Sequence, residues 1–446
     1  MSLEQFGYKQ ELKRTLTLSD LVIYGMVFMV PIAPFGVFGW IYQDTHGMVP
    51  LAYLIGMVGM LFTALSYSAM SKEFPIAGSV YSYAQRGISE HVGFIAGWAI
   101  LLDYLLIPAL VYVFSAIAMH ELFPAVERWQ WLIFFLVTAT VVNLKGISFT
   151  AKMNIVFLIG ELVVFAIFVA VGLYALYQGQ GNGELTLAPL YQPDVFSVGL
   201  VMKAVSIAAL SFLGFDAIST LAEEVKGDPA KQIGRAALIT LFVMGIIFMA
   251  QTWIAVDLAA GLTFSSPDTI FYQIAQAAGG EWLGIVTGLA TALAWGIATS
   301  VVSQGAVSRV LFSMGRDQKL PKVLSKVHAK WGTPYISILF VAVLSLFLGL
   351  YFLEEADLLT SLVSFGALTG FLFLHLSVII HFIIRNGSKN YLRYLICPAI
   401  GFFIIGYILI SMSEQAIILG GIWFVIGLIY LIIMTKMKLS LALSIE

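Results

Sequence analysis

The chain has 446 residues, of which 60% are hydrophobic and only 11% charged, with a mean hydropathy of +0.95 and a formal net charge of −2. A soluble globular protein of this length needs more charge to stay dissolved, so the composition excludes that class and predicts a polytopic membrane protein. The single cysteine, Cys397, excludes an intramolecular disulfide.

Runs of roughly 20 apolar residues are long enough to cross the hydrocarbon core. About twelve follow one another, near 19–41, 50–70, 92–121, 129–147, 153–178, 198–221, 235–258, 283–312, 335–353, 358–384, 392–411 and 415–435. The polar opening through Asp20 lacks the short apolar region and small-residue cleavage site of a signal peptide, so the first span is expected to be retained. That span contains Gly25–Phe35, GMVFMVPIAPF, with Pro31 and Pro34 inside it. The sixth contains Ser211–Ala217, SFLGFDA, with Gly214 and Asp216. Helix-breaking residues at membrane depth persist only where the freed backbone groups face protein or a watery cavity. Two such breaks at matching places in two halves point to the binding site of a carrier.

The expected organisation follows from those breaks. A cytoplasmic N-terminus over 1–18 leads to a first repeat of five spans over 19–178. An outer connection over 179–197 precedes a second repeat of five spans over 198–384, inverted because each repeat has an odd number of spans. Two further spans and the C-terminus fill 385–446. All of the 23 lysines and arginines except Arg128 and Lys203 then fall on one side, together with the N-terminus. The positive-inside bias makes that side cytoplasmic and both ends internal. An outer loop carries Glu354, Glu355 and Asp357 instead.

The loop after the second span reads Glu73-Phe74-Pro75-Ile76-Ala77-Gly78-Ser79-Val80-Tyr81-Ser82-Tyr83, followed by His91-Val92-Gly93-Phe94 and Gly97-Trp98. After the sixth span come Gly214-Phe215-Asp216, Ala222-Glu223-Glu224-Val225-Lys226 and Pro229. The eighth closes with Ser308-Arg309-Val310-Leu311-Phe312-Ser313-Met314-Gly315-Arg316-Asp317 and Leu320-Pro321. Together these resemble the signatures of the amino acid–polyamine–organocation permeases over nearly the whole chain. The resemblance implies an all-α, LeuT-type 5+5 inverted repeat with substrate between broken helices one and six near the bilayer midplane. The phrases Ala77–Gln85, His91–Leu105, Ala306–Arg309 and Phe365-Gly366-Ala367-Leu368 are also similar to those of bacterial putrescine importers.

The same resemblance places a Gly-(Ser/Thr)-Gly run in the first break, where exposed N–H groups hold a substrate α-carboxylate. Here Pro31-Ile32-Ala33 stands in its place. Proline has no N–H to donate, and the other two carry Cβ atoms that crowd a close approach. This points to an amine without an α-carboxylate; the bland alternative is that Pro31 only shapes the kink. Candidate substrate-binding residues are Tyr24, Gly25, Met29, Pro31, Ile32 and Ala33 around the first break. Phe212, Gly214, Phe215 and Asp216 join them at the second break, with Tyr104 in span three and Trp295 in span eight.

Three acids, Asp103, Glu161 and Asp216, lie within spans, each at a cost of roughly 2.5–3.5 kcal/mol on insertion scales. Asp216 is expected either to contact substrate or to cap a half-helix. Asp103 belongs with the coupling candidates or with structure. The hydroxyl and ring face of Tyr104 suit an ammonium group, against a packing role. Glu161 stands where the resemblance puts a lysine in proton-coupled relatives, and a carboxyl there can load and release a proton. The other reading has it coordinate sodium with Thr299 or Ser300, and the plain one makes it a hydrogen-bonded structural acid. For Phe212, Phe215, Trp295 and His375 packing is the plain alternative.

An enzyme reading finds little support. His120-Glu121 begins like a zinc-protease motif, but Pro124 stands where the second histidine belongs, and no P-loop is present. A channel filter repeat is likewise not visible. The expected function is secondary transport with no cofactor, in the cell membrane, as a monomer or homodimer, without nucleic acid. The substrate is a small amine, with a neutral or cationic amino acid as the alternative, and the coupling ion is a proton or sodium.

Overall fold

A computed structural model describes residues 16–75, 79–145, 150–316 and 321–436. Parts of the signature stretches, 76–78 and 317–320, lie outside the described residues, as do the side chains of Glu223, Glu224, Arg309, Ser313 and Met314. The described chain is helical almost throughout, joined by turns, with one isolated bridge between Leu16 and Val225. Eight of its helices are long and apolar enough to cross a membrane, and a bent pair raises the number to nine. Two shorter apolar helices, Val198–Phe212 and Tyr335–Tyr351, lie among them.

The bent pair is the first broken span. Helix α1, Leu18–Met29, opens on a capping box: the Thr17 hydroxyl accepts from the Asp20 amide while the Asp20 carboxylate accepts from the Thr17 amide. It stops at Val30, held at φ +57°, because Pro31 has no N–H to continue the ladder. Helix α2, Pro34–Thr45, restarts with Pro34 at its first position and leaves at 55° to α1. α3 (Val49–Glu73), the short α4 (Ser79–Gly87) and the 33-residue α5 (Glu90–Leu122) follow. Next come α6 (Arg128–Lys145) and α7 (Thr150–Tyr177).

The second break separates α8, Val198–Phe212, from a short 3-10 helix over Asp216–Glu224. Gly214 sits between them at φ +119°, a conformation open to glycine, and a Cβ there would strike the Phe28 ring of α1. α9 (Pro229–Leu258), α10 (Ile270–Gly279) and α11 (Glu281–Leu293) lead to a π-helical turn over Ala294–Thr299 and then α12 (Ser300–Arg316). α13 (Tyr335–Tyr351), α14 (Ala356–Val378), α15 (Cys397–Ile410) and α16 (Glu414–Lys436) complete the bundle.

The signature glycines are packing devices. Gly93 and Gly97 of α5 let α4 lie against it, since a Cβ on either would meet Gln85 or the Tyr81 ring. Gly366 of α14 does the same against the α5 backbone at Asp103. Trp98 and Trp423 bind α5 to α16: each indole N–H donates to the other's carbonyl at 2.9 Å, and the rings stack at 4.7 Å. The connection 179–197 is pinned by the buried carboxylate of Asp257, which accepts from Asn182 Nδ2 and from both the amide and hydroxyl of Thr186.

Candidate functional site

Both breaks face one small cavity of about 50 Å³. Phe28, Met29, Val30 and Ala33 line it from the first break, and Leu210, Ser211 and Leu213 from the second. Ile107, Leu110, Val111 and Phe114 of α5 form another wall, and Trp295 and Thr299 of the π turn close it. At roughly 30 Å³ of liquid volume per water, this is room for very little. The lining is apolar apart from the hydroxyls of Ser211 and Thr299, and both are engaged: Ser211 with Tyr53 at 2.9 Å, Thr299 with the Ala294 carbonyl at 3.0 Å. Trp295 meets the Phe114 ring at 4.2 Å and lies against Gly36, where any Cβ would come within 2.7 Å of the indole.

The first break consumes its own amides. Val30 N–H donates to Met26, Ala33 to Val30, Phe35 to Ile32 and Gly36 to Ala33. Pro31 and Pro34 have none to give. This leaves Ile32 as the one N–H over 30–36 for which no protein acceptor is found among the described residues. The Pro31 carbonyl, freed by the break, accepts from Gln251 Nε2 of α9 at 2.9 Å.

Of the residues singled out from the sequence, Met29, Ala33, Trp295 and Thr299 line the cavity. Pro31 and Ile32 form the turn beside it. Gly25 serves close packing, since a Cβ there would meet Ile218 and Thr240. Phe212 and Phe215 are fully buried and turn elsewhere. Phe212 packs against Tyr53 and Phe248 at 6.0 and 5.3 Å, and Phe215 against Tyr67 and Phe371 at 5.9 and 6.0 Å.

A second cluster forms around the acids. Asp216 Oδ1 accepts from the Gly214 amide, two residues before it, at 3.2 Å, a local bond across the break; the 3-10 helix that Asp216 opens has Phe215 at its N-cap and no side-chain cap. Asp216 also lies close enough to Asp103, Tyr104 and Tyr67 for their charges to interact, and Tyr24 lies as close to Tyr104. Ser79, at φ +51°, bonds the Tyr67 hydroxyl at 3.1 Å. Asp103 and Asp216 are 4% and 6% exposed, and Asp103 Oδ1 has no hydrogen-bond partner among the described residues.

Glu161 is outside that cluster. It is buried in α7, a helix that packs against α1 and the π turn, and its Oε2 has no partner among the described residues. The Thr299 and Ser300 hydroxyls donate within their own helix, to Ala294 and Gly296. His375 has both ring nitrogens engaged, with Ser66 at 2.9 Å and Thr63 at 3.2 Å, and joins α14 to α3.

Sequence reasoning passed over the α5 wall. Ile107, Leu110 and Phe114 continue from Asp103 at i+4, i+7 and i+11, one face of a helix, and that spacing was the available signal. Gln251 carried none beyond being a polar residue inside an apolar run. The polar set of Asn143, Gln304, Thr140 and Tyr112, which ties α6, α12 and α5 together, likewise gave no sign of its partners.

Residues 22–439 match the family model described as amino acid permease. The chain is 35% identical over 436 residues to the low-affinity putrescine importer PlaP of Escherichia coli K12, covering 96% of this chain and 94% of that protein. It is 27% identical to the branched-chain amino acid permease BcaP of Bacillus subtilis, over 94% of this chain and 93% of the other. Cationic amino acid transporter 7 of Arabidopsis thaliana matches at 26%, over 80% of this chain and 64% of its own. These relatives are carriers and not enzymes, and the apolar helices make this chain a multi-pass membrane protein. The chain belongs to the amino acid permease family, within the amino acid–polyamine–organocation superfamily.

Proposed function

We propose that this transporter imports a small amine of the putrescine type by ion-coupled alternating access, with proton symport as the coupling. One observation carries the reading: the first break offers a substrate carboxylate almost no N–H groups, because two positions are proline and four amides are already donating locally. Two buried acids nearby favour a cation instead. The similarity to an importer of putrescine agrees with this chemistry.

The architecture in this reading is twelve spans. A LeuT-type inverted repeat comprises 19–178 and 198–384, and two further spans follow. Both ends are cytoplasmic, a reading that the distribution of lysine and arginine supports, and the membrane is the plasma membrane. The negative-inside potential favours cation entry. Glu161 is the coupling acid in this reading, a buried carboxyl on α7, the helix that packs against α1 and the π turn. The residues at the two breaks, with Tyr104 and Trp295, surround the substrate.

The alternative is a neutral or cationic amino acid permease, favoured by the similarity to BcaP and by the remaining Ile32 amide. Uptake of radiolabelled putrescine into proteoliposomes under an imposed proton or sodium gradient tests the proposal. Saturable accumulation that collapses with the proton gradient is the expected result. No uptake of any amine, with uptake of a branched-chain or cationic amino acid, would establish the alternative.

A further inference from the structure

We propose that Asp103 and Asp216, with the hydroxyl groups of Tyr104, Tyr67 and Ser79 around them, form a binding site for a primary ammonium group. The adjoining apolar cavity, at about 50 Å³, would take the first part of the hydrocarbon body of the same molecule, and its walls would have to open for the rest. The inference rests on the reading of the chain as an amine carrier and specifies the substrate that the site fits.

The two acids are almost completely buried and lie close enough for a charge on one to disfavour a charge on the other. No lysine, arginine or histidine forms an ion pair with either among the described residues. Two buried carboxylates without a base are unstable unless a proton or a cation joins them. Asp103 Oδ1 is an acceptor without a donor among the described residues, whereas the Asp216 carboxylate accepts from the backbone amides of Gly214, Asp216 and Ala217 and contributes its charge. An ammonium group supplies a positive charge and three donors. The surroundings suit it: the Tyr67 ring meets Tyr83 at 6.0 Å and Phe215 at 5.9 Å, and electron-rich ring faces attract cations. The Tyr83 hydroxyl lies beside Ser219, and neither oxygen meets hydrogen-bond geometry with any partner among the described residues.

The geometry of α5 joins this pair to the cavity. Asp103, Ile107, Leu110 and Phe114 share one face, so the acid lies about 6 Å, four residues, along the helix from the nearest cavity wall. The cavity itself has no charged lining. The arrangement selects a molecule that is cationic at one end and apolar beyond it, and it repels an α-carboxylate placed beside the ammonium group. An inorganic cation shares the charge but gains nothing from the rings or from the apolar cavity.

The test is thermal unfolding of the full-length protein in detergent, titrated at constant ionic strength with n-butylammonium chloride, n-butanol or sodium chloride. Butylammonium should raise the midpoint, and butanol and sodium should not. Asp103→Asn and Asp216→Asn should each weaken butylammonium by about tenfold or more, the scale of a lost charge-assisted hydrogen bond. The side-chain oxygen retained in Asp216→Asn can still accept from the Gly214 amide, and Asp103→Glu and Asp216→Glu should recover part of the affinity, which separates loss of charge from misfolding. Undiminished affinity in both Asn variants, no shift with butylammonium, or an equal shift with sodium would overturn the site. Acid-dependent butylammonium binding without amine uptake into proteoliposomes would uphold the site and overturn the wider transport reading.

Discussion

The side-chain amide of Gln251 donates to the carbonyl of Pro31 at 2.9 Å, so a polar residue of α9 satisfies the backbone that the break in the first span leaves open. The bond is fully buried. It explains how the turn over residues 31–33 persists inside an apolar bundle, where an unpaired carbonyl is costly.

Replacing Gln251 by leucine should therefore destabilise the protein by about 1–3 kcal/mol, the cost of a buried acceptor left without its donor. The midpoint of thermal unfolding in detergent measures it. A midpoint equal to that of the wild type would show that the break does not depend on α9.

The contact between Gly36 and Trp295 makes a paired prediction. A Cβ on Gly36 would lie 2.7 Å from the indole, inside normal contact distance. Gly36→Ala should lower uptake by displacing Trp295 into the cavity, and Trp295→Leu in the same chain should restore it in part. Additive losses in the double variant, read as initial rates in proteoliposomes, would contradict the interlock.

Glu161→Gln removes a buried carboxyl and keeps its shape. Gradient-driven accumulation should be lost while substrate binding and exchange survive. Accumulation that still follows the imposed gradient in this variant would remove Glu161 from the coupling role.

Asp268 gives a prediction for pH. This carboxyl lies in the connection before α10, and burial pushes it above its ordinary value, with nearby Glu354 and Asp357 adding to the shift. Arg128, 3.4 Å away, pulls in the other direction without prevailing. A carboxyl raised in the folded state lends stability that is present below its unfolded value and lost as pH rises through its folded value. Asp268→Asn should thus leave stability at neutral pH unchanged or improved, despite the lost ion pair. A clear loss at neutral pH would mean that the Arg128 attraction outweighs burial.

What the sequence disclosed depended on how local the signal was. Pro31 and Pro34 cannot continue a helix, and Gly214 takes the positive φ that the second break needs, so both breaks were legible as residues. The signature glycines 93, 97 and 366 were visible as phrases, yet the helices they bring together were not. Pairings across the bundle left no local trace: Gln251 with Pro31, His375 with Ser66 and Trp98 with Trp423 lie 220, 309 and 325 residues apart. The three membrane acids were plain from the sequence. That Asp103 and Asp216 share a cluster while Glu161 stands outside it depends on α5 and the second break facing one cavity.

The central claim is that the broken first helix rejects an α-carboxylate and that buried acids select an amine. Competition against radiolabelled putrescine uptake by two matched compounds tests it most directly: cadaverine, and lysine, which is cadaverine with an α-carboxylate. Cadaverine should compete and lysine should not. Equal competition by lysine would show that the break still holds a carboxylate, and the chain would then be an amino acid permease with a rebuilt first helix.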